Sequence, residues 1–286
     1  MRVARLPDDD AELLARAGVA DASDPSRPLF AETRWIRRVS GEPVVLFGGG
    51  RALLLEIAHP LVAAGIAEHS EFRRDPFARL RRTLDVLSRI VFGTRAEAAA
   101  AAREVEAAHA RVRGRLAEAT ARFPAGTGYD GRDPELVRWV WATLVDTSWA
   151  VYERFAGALD AAACQAFYAD QSVVGRLFGA PADLLPPDWG AFRSWFDACV
   201  AGDELEVTPV AREISAAVFA ATDGTPQGGV ARGITTALLP ERLRRDFGLA
   251  WDASREARIE ALVDRVRRLR PDRGASARLD PRADRR

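Results

Sequence analysis

The sequence predicts an all-α protein, with most of its 286 residues in a single large domain of orthogonally packed helices. Two observations carry this. Helix-start signals recur throughout: Asp75-Pro76, Asp133-Pro134 and Thr208-Pro209 each set a capping carboxylate or hydroxyl before a proline at the first helical position. No run alternates apolar and polar residues for long enough to specify a strand. In order, the spacing predicts helices over 9–17, 28–39, 50–58 and 60–70, then one from Pro76 stopped at Gly93. Thr94 and Glu97 form a capping box opening an Ala-rich helix to about Arg122. Helices follow from Asp133-Pro134 to near Gly157, over 160–178 and 188–201, from Pro209, and over 229–247 and 253–270. The organisation read from this is an N-terminal segment with a short helix over 1–27 and a helical domain over 28–270. A disordered tail, rich in Arg, Asp, Gly and Pro, is expected over 271–286.

Composition excludes several classes of partner. Forty-one acidic and 41 basic residues cancel, which argues against nucleic acid or an anionic membrane as the main partner. Every basic side chain is Arg, so a solvated surface is the default reading of most of them. The N-terminus lacks the apolar core of a signal peptide, and a cytoplasmic location is expected. The most apolar stretch, 43–67, is broken by Arg51, Glu56 and His59, which predicts a buried helix pair and not a membrane span. Cys164 and Cys199 have no metal-type spacing and read as free buried thiols.

Only three histidines occur, His59, His69 and His109, all within one segment that also holds an arginine-rich helix. Imidazole is a common metal ligand and Arg the natural partner of a buried anion, so this segment is the candidate metal or haem site. On the helix after Asp75, Leu80, Thr83, Leu84, Val86, Leu87, Ile90 and Val91 form one apolar arc. Arg79 falls inside that arc and Arg82 at its edge, while Arg81 and Arg89 face solvent. An interior guanidinium needs an anion. The choices are a buried carboxylate (Glu56, Glu68 or Glu71) or a cofactor's carboxylate or phosphate. His109 shares a helical face with Val105, Val112 and Leu116 and is directed to the core, as a ligand or as a hydrogen-bonded structural residue. His59 at a helix break has a structural role, bonding free carbonyls, as its alternative. Capping is the simple reading of His69.

Two E-x-x-H units, Glu56 to His59 and Glu106 to His109, match the di-iron carboxylate spacing, although a complete site needs two further carboxylates. Asp146 and Glu153 are the inward acids of the helix after Pro134. Gly48-Gly49-Gly50 lacks the spacing and βαβ context of a dinucleotide loop and reads as close helix packing or a hinge. No G-x-S-x-G elbow exists.

The run from Arg51 to Ser70, containing His59-Pro60 and His69-Ser70, is followed by Asp75-Pro76, Arg79-Leu80-Arg81-Arg82-Thr83, Val91-Phe92-Gly93-Thr94 and His109-Ala110-Arg111-Val112-Arg113-Gly114. With Asp133-Pro134 through Leu144, these resemble the latex-clearing protein and MpaB-type oxygenase family, over roughly residues 28 to 250. The resemblance implies a helical fold with a buried haem b pocket, His109 as the iron ligand, and Arg79 and Thr83 beside the haem. Arg82 stands where the rubber oxygenase has a Lys that can cap the iron; a guanidinium stays protonated and cannot ligate. Glu56 stands where the family often has Gln, and Trp141 where it often has His. The expected function is therefore a haem b-dependent oxidoreductase, an oxygenase taking O₂ and an apolar small molecule, with Arg79, Arg82 and Thr83 as catalytic candidates. A di-iron oxygenase using Glu56, His59, Glu106 and His109, or a non-catalytic protein keeping the fold, are the alternatives.

Overall fold

Helix caps set most of the architecture in the computed structural model, which describes residues 5–70, 72, 74–221 and 223–269. The tail expected over 271–286 lies outside the described residues. The chain opens with α1 (Asp10–Arg16), capped by the Asp9 carboxylate, and α2 (Trp35–Ser40). A 3-10 helix over Pro43–Gly48 leads into α3 (Gly49–Ile57) and α4 (Pro60–His69). Then come α5 (Pro76–Phe92) and α6 (Arg95–His109), the latter opened by the Thr94/Glu97 capping box. Beyond a short hairpin follow α7 (Pro134–Phe155), α8 (Ala161–Leu177), α9 (Trp189–Ala201) and α10 (Pro209–Ala220). The last three are α11 (Pro226–Leu238), α12 (Glu241–Asp246) and α13 (Ala253–Leu269). All-α is therefore the observed class.

Three expected helices differ. The 28–39 helix is confined to α2. Before it, Leu29 donates to the Gly93 carbonyl and Arg95 to the Arg27 carbonyl, so residues 27–29 run extended against the start of α6. The 229–247 helix starts earlier, at Pro226, and is split at Pro240, which has no N–H to continue the ladder.

The largest correction concerns the helix expected to reach Arg122. It ends at His109, and β1 (Arg113–Arg115) pairs antiparallel with β2 (Gly128–Asp130), Gly114 opposite Tyr129. Two glycines pack closely beside this turn. A Cβ on Gly114 would lie 2.3 Å from the Tyr129 hydroxyl, and one on Gly131 would lie 2.8 Å from the His109 carbonyl oxygen. Val112 and Leu116 are thus not on His109's helix at all.

The main core gathers Leu54, Leu55 and Ile57 of α3, Trp139, Trp141 and Val145 of α7, Phe167 and Tyr168 of α8, and Phe192 and Phe196 of α9. A second core joins Leu13 and Leu14 of α1 to Ile90 and Val91 of α5 and the alanines of α6. Small Ala side chains let α5 and α6 lie close. Among the described residues no single helix is long and apolar enough to cross a membrane; the stretch of similar character, Pro43–Ile57 with Pro60–His69, is bent by 110° and largely buried.

Candidate active site: an apolar cavity over an ion pair

Between α3, α5, α7 and α8 lies a cavity of about 550 Å³, within the range of small-molecule sites. The amphipathic α5 supplies one wall, through Arg79, Leu80, Thr83, Leu84, Leu87 and Val91. These belong to the arc its periodicity predicts, whose Val86 and Ile90 pack instead into the core shared with α1 and α6. Opposite stand Trp141, Leu144 and Thr147 of α7 and Gln171 and Val174 of α8. Gly48, Gly49 and Gly50 complete it. Their reading as close-packing residues is the one observed. A Cβ on Gly48 would come within 2.7 Å of Thr147 Cγ2, and one on Gly50 within 2.4 Å of Thr235 Oγ1.

Arg79 is the charged feature of the wall. Its Nη2 donates to Glu56 Oε2 at 2.6 Å, so of the anions open to it the protein supplies Glu56. Glu68 is engaged elsewhere, accepting from the Tyr129 hydroxyl, and Glu71 lies outside the described residues. Glu56 also lines the cavity, placing an ion pair at an otherwise mostly apolar surface. Arg82 lies on the exposed side of α5 and Thr83 on the cavity side. Arg89, expected in solvent, is half-buried and clamps α5 to α6 through Glu104.

His109 ends α6, half-buried, and is not among the residues lining the cavity. Burial, and next the nearby Arg79 charge, lower its pKa to about 4, against a smaller opposing effect of Asp130. At neutral pH that ring is uncharged, the state a metal requires.

The other histidines are held by structure. His59 is buried at the corner between α3 and α4, 5.3 Å from the Phe123 ring, with its pKa lowered to about 4 by burial. The bonding of free carbonyls that its structural reading expects is not seen at Nδ1, which has no hydrogen-bond partner among the described residues. His69 does not simply cap: its Nε2 meets the Arg113 carbonyl oxygen at 3.0 Å, pinning α4 to β1.

The four residues of the di-iron pattern are not brought together. Glu56 serves Arg79, Glu106 accepts the Leu6 amide at 3.0 Å, and His59 sits at its helix corner. Among the described residues no group of three or more His, Cys, Asp or Glu is placed to hold a metal ion. Asp146 is bound by Arg51 and Arg193, and Glu153 accepts the Leu159 amide. His109 thus belongs to no cluster of three or more metal-ligating side chains among the described residues. Arg79 and Thr83 both line the cavity from α5. Sequence reasoning missed Gln171 and Thr147 as wall residues, because nothing local in α7 or α8 marks which face meets α5.

A helical protein closing an apolar cavity over an ion pair is of the small-molecule-binding class. More particularly, this chain belongs to the family described as ER-bound oxygenase mpaB/B'/rubber oxygenase, catalytic domain, whose model matches residues 36–268. That family is an oxygenase catalytic domain and implies a small-molecule substrate and O₂. No curated protein and no solved structure matches the chain significantly.

Proposed function

We propose that the protein is a haem b-dependent oxygenase of an apolar small molecule. The observation that carries this is the apolar cavity with the Arg79–Glu56 ion pair in its wall, in a chain of the mpaB/rubber oxygenase catalytic-domain family. Haem b, when bound beside this cavity, would supply iron chemistry with O₂.

The chain's own residues do the rest. His109 would offer its imidazole nitrogen to the iron. Arg79 offers a guanidinium to a propionate, with Glu56 as the counter-ion that holds it in place beforehand. The Thr83 side chain lines the cavity on the same face of α5. Leu80, Leu84, Leu87 and Val91 exclude water and prefer a hydrocarbon surface. Arg82 is exposed and takes no part in this arrangement.

Titration of the purified protein with haemin tests the proposal. The expected result is a Soret band saturating at one haem per chain, and O₂ uptake on adding an alkene. Absence of any Soret shift on reconstitution sinks it.

A further inference from the structure

The wall of the cavity contains three buried polar side chains among the described residues: Glu56, Thr147 and Gln171. Two are satisfied by the protein. Glu56 accepts from Arg79 at 2.6 Å, and the Thr147 hydroxyl accepts from Arg51 Nη1 at 2.8 Å. Gln171 is different. It is only 7% exposed, yet among the described residues its side-chain amide has no hydrogen-bond partner.

Gln171 is also held firmly. Asp170, before it, is bonded by Arg34 Nε at 2.6 Å and by the Ile36 amide at 3.2 Å. Its own main-chain carbonyl takes the Trp141 Nε1–H at 2.8 Å. Trp141 can lie that close to α8 because residue 175, one turn on, is glycine: a Cβ there would be 3.1 Å from the indole. The backbone carrying the amide is therefore fixed between α2 and α7. Buried polar groups are normally paired, and a pre-positioned amide without a protein partner in a cavity wall is a binding element in waiting.

We infer that Gln171 is the polar recognition point of the cavity, and that it selects an apolar molecule carrying one carbonyl or hydroxyl oxygen. This rests on the cavity being the substrate site. A carbonyl oxygen accepts from the amide N–H₂, and a hydroxyl can also donate to the amide oxygen. A pure hydrocarbon leaves both unmet, and a site built to hydrogen-bond its ligand discriminates against the analogue lacking the polar atom.

The test compares limonene with carvone, its ketone counterpart of nearly the same shape, binding to the protein as purified and followed by calorimetry. The quantity read is the ratio of the two dissociation constants in wild type, Gln171→Leu and Gln171→Met. Taking the ratio within each variant cancels the different hydration of the two probes. Both substitutions are expected to lower the preference for carvone by roughly tenfold while leaving limonene binding unchanged. Neither should reduce thermal stability, because no protein hydrogen bond is lost. A ratio identical in all three proteins overturns the inference and leaves the cavity reading standing. Failure of wild type to bind either probe overturns both. Loss of fold in both variants shows that Gln171 is structural and also overturns it.

Discussion

Arg79 Nη2 and Glu56 Oε2 lie 2.6 Å apart and join α5 to α3 across the cavity wall. Glu56 is almost fully buried and Arg79 is about a third exposed, so breaking the pair costs less than for a wholly buried one. Glu56→Gln is expected to destabilise by about 1–2 kcal/mol. Arg79→Met should cost a similar amount, and the double variant clearly less than the sum. Urea midpoints of the four proteins check this; strict additivity contradicts the pairing.

The histidines separate by role. His109→Ala is expected to abolish most haem uptake while far-ultraviolet circular dichroism stays near wild type, since the residue ends α6 without capping it. His59→Ala and His69→Ala should still take up haem. Side-by-side haemin titrations decide the ligand: unaltered uptake by His109→Ala, with loss in either of the others, reassigns it.

His59 makes stability depend on pH. Its folded-state pKa is about 4, below the usual 6.5, because burial penalises the charged ring. The unfolded chain therefore binds a proton that the folded chain refuses. The stabilisation is complete above about pH 6.5 and is lost as pH falls towards about 4. The loss is on the order of 3 kcal/mol for this residue, with His109 adding in the same direction. His59→Leu is expected to reduce the slope of the denaturation midpoint between about pH 6.5 and 4, leaving the share of His109. An unchanged slope would place the acid sensitivity elsewhere.

Gly50 is a packing contact. A Cβ there meets Thr235 Oγ1 at 2.4 Å, and Thr235 is fully buried. Gly50→Ala is expected to cost about 1–3 kcal/mol through overpacking. Thr235→Ala in the same chain should restore much of it. Thermal melts of the single and double variants show whether that rescue occurs.

Local chemistry in the sequence determined where most helices begin. Thr94 with Glu97, and Asp133 and Thr208 each before proline, satisfy orphan N–H groups within a few residues, and all three starts are observed. Periodicity likewise determined that Arg79 and Thr83 face inward, because 100° per residue is a property of the helix itself. Tertiary structure decided what contacts between distant segments control. The end of α6 depends on the β1–β2 pairing of residues 113–115 with 128–130, with Gly114 packed against Tyr129 and Gly131 against His109. The choice of Glu56 for Arg79 depends on how α3 and α5 cross. So does the isolation of Gln171, whose partner-free amide arises only when α8 is laid against α7 and the cavity lies in front of it. A charge or amide on one helix is legible from its own period; what it meets is set by the packing of helices far apart in sequence, and that information is not local.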